Sequence, residues 1–233
     1  MTRTDFLRAL LALMAAYGLA IAVFLVWPGL DLAISAAFFT RGQGFVLAKD
    51  AVLEAPRNLS WDLSIGAMLL AATGTILGLA GVGPARAHLR RFAFVFLLFL
   101  FGPVLLADTL LKHVWGRVRP ANIVDFGASG TFTPFWSPSG QCVSNCSFVS
   151  GEAAGAAALA VTFLVFAPFA RRWLGRAGFV AYAAAGIALP IMAISNRIIT
   201  GRHFLSDTVF AVLVTLTVAL ALARVLLPAG RAG

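Results

Sequence analysis

Long apolar segments separated by short polar ones account for most of this chain. A membrane-spanning helix needs about 20 mostly apolar residues. The ends of such helices can be placed from sequence to within a few residues. The pattern predicts an all-α fold, a bundle of six transmembrane helices at about residues 6–27, 63–82, 92–111, 153–169, 178–195 and 205–227.

The segment between the first two predicted spans, Pro28 to Asp62, has a different pattern. Apolar residues such as Leu30, Leu32 and Phe38 alternate irregularly with polar ones. This is typical of short amphipathic helices that lie on a membrane surface. A lid over a substrate entrance is the alternative interpretation, which the pattern leaves open.

Composition agrees with a membrane protein. Of the 233 residues, 61% are hydrophobic and 12% are charged, whereas soluble domains have roughly 45–50% apolar and about 25% charged residues. The apolar segments leave little sequence for a soluble domain, so we expect residues 1–233 to form a single membrane domain. The net charge of +9 does not indicate nucleic-acid binding, because basic residues also accumulate in cytoplasmic loops of membrane proteins.

The distribution of basic residues predicts the orientation. With the N-terminus in the cytoplasm, the cytoplasmic segments contain one acid, Asp5, and ten basic residues, as the positive-inside rule expects. These are Arg3, Arg8, Arg86, Arg90, Arg91, Arg171, Arg172, Arg176, Arg224 and Arg231. Both termini are therefore predicted to be cytoplasmic. The Arg- and Ala-rich, Lys-poor composition suggests a bacterial inner membrane, whose outer face is the periplasm.

Three polar clusters interrupt the apolar pattern. They cover residues 112–120, 147–152 and 196–207, at the end of the third span, the start of the fourth and the connection between the fifth and sixth. The predicted topology brings all three to the non-cytoplasmic face. A basic residue at one helix end is usually an interfacial anchor, but three clusters on one face indicate a site.

The side chains in these clusters suit a phosphate group. Lys112, Arg119 and Arg197 can surround a dianion, since guanidinium groups match phosphate oxygens and lysine supplies a point charge. Ser150 and Gly151 precede a predicted helix, whose first amides and positive end attract anions.

His203 and Asp207 are four residues apart and lie on one face of a helix. A carboxylate there can hold one imidazole nitrogen and leave the other free to attack phosphorus. His203 is therefore the candidate nucleophile.

The ordered motifs resemble those of the type 2 phosphatidic acid phosphatase superfamily: Lys-x6-Arg-Pro, then Ser-Phe-Pro-Ser-Gly-His, then Ser-Arg-x5-His-x3-Asp. The residues that match them are Lys112, Arg119, Pro120, Ser147, Phe148, Ser150, Gly151, Arg197, His203 and Asp207. The outer segment around residues 30–45 is similar to that of lipid A phosphatase-like members. The resemblance covers the chain from the third span to the sixth.

The resemblance implies a lipid phosphate phosphatase that forms a phosphohistidine on His203, oriented by Asp207, without a metal or other cofactor. Its partners would be the bilayer and a lipid phosphate, with lipid A, phosphatidylglycerol phosphate, phosphatidate and undecaprenyl diphosphate all open. A lipid-to-lipid phosphotransferase and a catalytically inactive lipid-binding protein are the alternatives. The oligomeric state is left open.

The chain departs from the family pattern at Glu152, where the superfamily has the histidine that protonates the leaving oxygen and activates water. A protonated glutamate could perform the same task, and the sequence does not say whether Glu152 is protonated. Asp108, one turn before Lys112, is expected to pair with it, for either a catalytic or a structural purpose.

The outer loop between the first and second clusters contains further candidates. Cys142 and Cys146 are the only cysteines, and an oxidising compartment would permit a disulfide between them, although the C-x3-C spacing leaves the bond undecided. The remaining polar and aromatic loop residues are expected either to touch the lipid headgroup or to be ordinary loop residues: Arg117, Asn122, Asp125 and Trp136.

Overall fold

The computed structural model describes residues 1–227, and the predicted cytoplasmic Arg231 lies outside them. Within that range the protein is helical, and the predicted bundle of six helices long and apolar enough to cross a membrane is confirmed. The long helices are α1 (Arg3–Val26), α3 (Ala51–Leu79), α5 with its extensions (from Leu89), α7 (Gly151–Trp173), α8 (Gly175–Ile199) and α9 (Leu205–Leu226).

Short elements complete the chain. The helix α2 (Leu30–Ala36) follows α1, and α4 (Gly83–Ala87) precedes α5 (Leu89–Phe99). The third membrane crossing continues from α5 through a π-helical segment (Leu100–Leu111) into α6 (Lys112–Trp115). Pro103 lies in the π segment, and a proline without an amide proton is a common cause of such a departure from α geometry.

The central helix of the bundle is α7, which packs against α3, α5, α8 and α9. Its outer half is a run of glycine and alanine, and residues 153–159 are buried. Small residues let helices approach closely in a membrane, where dispersion contacts replace the hydrophobic effect as the main source of association. The sequence of α7 therefore explains its central position.

The helix that contains the second predicted span begins before that span. The prediction placed its start near residue 63, but α3 begins at Ala51, where the side chain of Asp50 accepts hydrogen bonds from the amides of Val52 and Leu53. An N-cap carboxylate stabilises a helix start. The first three turns of α3 are too polar to be recognised as membrane-spanning, yet they carry Glu54 and Arg57 to the site described below.

The two chain ends lie together. The amino group of Met1 donates a hydrogen bond of 2.6 Å to the carbonyl oxygen of Leu227, so residues 1 and 227 share one end of the bundle. The three polar clusters lie at the opposite end.

Candidate active site

The imidazole of His203 lies in a buried position between α8 and α9, with 2% of its surface exposed. Its Nδ1 atom is 2.8 Å from the carbonyl oxygen of Ser147 and 3.8 Å from a carboxylate oxygen of Asp207. A carbonyl oxygen only accepts hydrogen bonds, so Nδ1 carries the proton. The lone pair is therefore on Nε2, the nitrogen available for attack.

Burial also keeps this imidazole neutral. The loss of solvation lowers the pKa of His203, and the positive charges of Arg119 and Lys112 lower it further, while Asp207 acts in the opposite direction. Desolvation is the largest of these effects. Because Ser147 belongs to the second motif, its hydrogen bond with His203 joins the second and third motifs.

Asp207 is held by several donors. Its carboxylate accepts hydrogen bonds from the hydroxyl of Ser147, the amide of Phe204 (2.8 Å) and the guanidinium of Arg117 (2.6 Å). It has no exposed surface. A buried carboxylate requires such compensation, and these bonds set its position beside the imidazole.

Arg117 belongs to this hydrogen-bond network, which neither interpretation of the outer-loop residues had predicted. It is fully buried and bridges two carboxylates, donating to Asp207 and, at 2.8 Å, to Asp31 of α2. Its guanidinium also lies over the ring of Phe204, 4.3 Å from the centroid. It is neither a headgroup ligand nor an ordinary loop residue. The Gly-Arg-x-Arg-Pro spacing offered no sign of which arginine is buried.

No sequence pattern had indicated that Asp31 belongs to this network. It accepts hydrogen bonds from the amide of Ser206 (2.9 Å) and from the Ser206 hydroxyl, besides that of Arg117. Burial raises the pKa of the Asp31 carboxyl, and the nearby charge of Arg117 opposes the shift. The outer segment is therefore anchored to the start of α9 at α2, where the sequence showed only amphipathic alternation.

The start of α7 has the free amides that the predicted anion site requires. The Ser150 hydroxyl accepts a hydrogen bond from the amide of Ala153, whereas the amides of Gly151 and Glu152 have no acceptor among residues 1–227. Free amides at the start of a long helix attract anions. A Cβ atom at Gly151 would overlap the carboxylate of Asp108, so any other residue there would require the Asp108 side chain to move.

Lys112 pairs with Asp108, as expected from their spacing. Because Asp108 lies against Gly151, this pair is beside the first turn of α7. Arg119, in contrast, has no carboxylate partner within the described residues. Its Nε donates to the carbonyl oxygen of Asn145 at 3.0 Å, and a terminal nitrogen donates to the Asn145 side chain.

Arg197 is 5% exposed, and its terminal nitrogens donate to Glu152 (3.0 Å) and to Glu54 (3.2 Å). Its Nε is buried and has no hydrogen-bond partner in the described part of the chain. A buried donor without a partner is costly. An anion beside Arg197 would satisfy it.

Glu152 is ion-paired twice. Arg57 donates to both of its carboxylate oxygens, at 2.6 and 2.7 Å, and Arg197 donates to one of them. The bidentate geometry is the strongest arrangement for a carboxylate and a guanidinium. These ion pairs favour the anionic form of Glu152. Arg57 and Glu54, which also contribute to these contacts, belong to the outer segment of the sequence analysis.

The outer loop is closed by a disulfide between Cys142 and Cys146, the bond that spacing had left undecided. Asn145, which holds Arg119, lies inside this five-residue ring. The predicted site residues that the structure brings to one end of the bundle are Lys112, Arg119, Ser150, Gly151, Glu152, Arg197, His203 and Asp207.

Comparisons with known proteins agree with these observations. A family model described as the PAP2 superfamily matches residues 90–231. A protein of Rhizobium leguminosarum described as lipid A 4'-phosphatase is 34% identical over 218 residues, which cover 87% of this chain and 89% of that protein. No solved structure shows a significant match.

Two further relatives carry the same description. The one from Francisella tularensis subsp. novicida is 29% identical over 192 residues, covering 80% of this chain and 82% of that protein. The one from Rhizobium etli is 42% identical over 123 residues, covering 53% of this chain and 45% of that protein.

Proposed function

We propose that this chain, which belongs to the PAP2 superfamily, removes phosphate from a lipid A-like glycolipid through a phosphohistidine on His203. It is an integral membrane phosphatase that acts on a membrane lipid, and the family predicted from its motifs is confirmed. The observation that carries the proposal is that the imidazole of His203 lies at one end of the bundle together with helix amides and an Arg197 Nε that have no partner among residues 1–227.

The substrate is inferred from the relatives. The relative from Rhizobium leguminosarum, of which 89% is aligned with this chain, is described as a lipid A 4'-phosphatase. The other two relatives share that description. Phosphatidylglycerol phosphate, phosphatidate and undecaprenyl diphosphate are the competing substrates.

The reaction has two steps. In the first, Nε2 of His203 attacks phosphorus, the bond between phosphorus and the lipid oxygen breaks, and that oxygen takes up a proton from the solvent. In the second, water attacks the phosphohistidine, gives up a proton and releases inorganic phosphate, which restores the imidazole. Asp207 stabilises the positive charge of the phosphorylated ring.

The negative charge of the transferring group is stabilised by preorganised donors, as in other phosphoryl transfers. These are Lys112, Arg119, Arg197 and the Gly151 and Glu152 amides that follow Ser150. Only small rearrangements are needed, because Arg197 Nε and the amides have no protein acceptor in the described residues.

Glu152 would accept the proton of the attacking water in the second step. Its pairing with Arg57 and Arg197 favours the anion, which is the form that accepts a proton. The same pairing makes it a poor acid for the first step, so the solvent supplies that proton.

The function is tested by measuring phosphate release from purified lipid A, phosphatidylglycerol phosphate, phosphatidate and undecaprenyl diphosphate in detergent. We expect lipid A to be the best substrate and His203→Ala to abolish release. Chelators should have no effect and vanadate should inhibit. Release that persists in His203→Ala, or that requires added metal, would contradict the mechanism.

The role of Glu152 is tested by comparing Glu152→Gln with Glu54→Gln. Each change removes one carboxylate from Arg197, but only the first removes the proposed base. We expect Glu152→Gln to lower kcat by about 10²–10⁴-fold with little change in KM, and Glu54→Gln to have an effect of only a few fold. Equal losses would reduce Glu152 to a positioning residue.

A further inference from the structure

A polar groove with a volume of about 570 Å³ opens beside the proposed phosphate site. It lies on the outer loops, and Arg119 belongs to both the groove and the site. Most of the residues that line the groove are polar, among them Arg119, Asn122, Gln141, Ser144, Asn145 and Arg202.

The walls of the groove are held in place by the loops themselves. The Gln141 side chain accepts from the amide of Thr131 (2.9 Å) and donates to its carbonyl oxygen (3.1 Å). The amide of Gly130 donates to the carbonyl oxygen of Asn122 at 2.9 Å, and the lining residue Cys142 is held by its disulfide to Cys146. The groove is therefore preformed, which reduces the entropic cost of binding.

The groove has an excess of positive charge. Arg119 donates only to Asn145, and the exposed Arg202 side chain has no hydrogen bond or ion pair within residues 1–227. Both arginines line the same groove. By contrast, Arg117 and Arg197 are paired with carboxylates.

We infer that this groove is a headgroup subsite for an anionic saccharide, a sugar that carries a second acidic group besides the phosphate removed at His203. This inference rests on the proposed function. Arg202, adjacent in sequence to His203, would contact the second acidic group. The groove is within the range of about 300–1,000 Å³ that is typical of small-molecule pockets, and its lining includes two arginines that can bind an acidic group.

The test compares two substrates in the same mixed micelles, a bisphosphorylated disaccharide lipid and phosphatidate. We expect the wild-type ratio of their kcat/KM values to favour the disaccharide lipid. Arg202→Ala should lower that ratio about tenfold, since a charge-assisted hydrogen bond is lost. Arg41→Ala, another exposed arginine of the outer loops, should leave it unchanged. An unchanged ratio in Arg202→Ala would overturn the inference.

A binding measurement decides the same point without turnover. The His203→Ala protein should bind the disaccharide lipid, and adding Arg202→Ala should weaken that binding about tenfold. Equal affinities would overturn the subsite. If the wild-type protein released no phosphate, the proposed function would fail while this comparison would still decide whether the groove binds the headgroup.

Discussion

The imidazole of His203 depends on a backbone carbonyl as well as on a carboxylate. The hydrogen bond from Nδ1 to Ser147 joins the second motif to the third, and the Ser147 hydroxyl joins it again through Asp207. One residue of the second motif therefore sets both the tautomer of His203, the proposed nucleophile, and the position of the Asp207 carboxylate.

This arrangement predicts the titration of His203. Since burial lowers its pKa below the ordinary value of about 6.5, the ring should be neutral above that pH and become protonated only at lower pH. Nitrogen NMR of protein labelled at its three histidines should show Nδ1 protonated, with His203→Ala assigning the signal. A ring that titrates above 6.5, or that carries its proton on Nε2, would contradict the structure.

The buried arginine between two carboxylates predicts a loss of stability. Arg117→Met would leave Asp31 and Asp207 without their shared cation, and breaking a buried pair costs about 3–5 kcal/mol. We expect a clearly lower unfolding temperature in detergent for Arg117→Met. Arg41→Met, at an exposed position, is the matched control.

Asp31→Asn should lower the unfolding temperature less than Arg117→Met does. Arg117 keeps its hydrogen bond to Asp207 in that variant, and the asparagine amide has the same shape as the carboxyl group. Equal unfolding temperatures for Arg117→Met and Arg41→Met would show that the network contributes nothing to stability.

At the scale of elements, the disulfide-closed loop positions Arg119, a proposed phosphate ligand. Cys142 and Cys146 enclose Asn145, whose backbone and side chain accept from Arg119. A small displacement of a positioned group can cost a large factor in rate, so the loop affects the chemistry although it lies outside the helices.

Opening this loop should therefore reduce turnover. We expect reduction of the disulfide to lower kcat/KM about tenfold. The Cys142→Ser/Cys146→Ser protein should already have the lower activity and should not respond to reductant. Full activity under reducing conditions would separate the disulfide from the function of Arg119.

The polar start of α3 has a comparable role. Its first turns place Arg57 against Glu152 and Glu54 against Arg197. A helix that continues beyond its apolar part thus supplies the site with two charged residues, which explains why the site includes residues far from the three motifs in sequence.

For the whole molecule, the bundle separates the chain ends from the site. Residues 1 and 227 meet at one end, and the site lies at the other. The basic residues at the end that holds residues 1 and 227 predict that it faces the cytoplasm, which would open the site to the periplasm.

This orientation is tested with fusions to the full chain. A fluorescent protein that folds only in the cytoplasm should be bright at either terminus, while a reporter active only in the periplasm should work when inserted at exposed Gly127. The reverse pattern would place the site in the cytoplasm.

The sequence by itself determined the helical architecture and the family, and its motifs predicted the residues nearest the proposed reaction. Each of these depends on local information. Apolar segments of about 20 residues cross membranes, and the spacing of motif residues can be recognised without knowledge of the fold. His203, Asp207 and Arg197 were identified for that reason.

Only the tertiary structure decided the partners of these residues. Asp31 and Arg117 are 86 positions apart, and Arg57 and Glu152 are 95 apart. Such pairs form where polar groups are buried and must satisfy one another, and burial depends on how helices pack. The ion pairs of Glu152 and the burial of Arg117 therefore follow from helix packing, which no local sequence pattern describes.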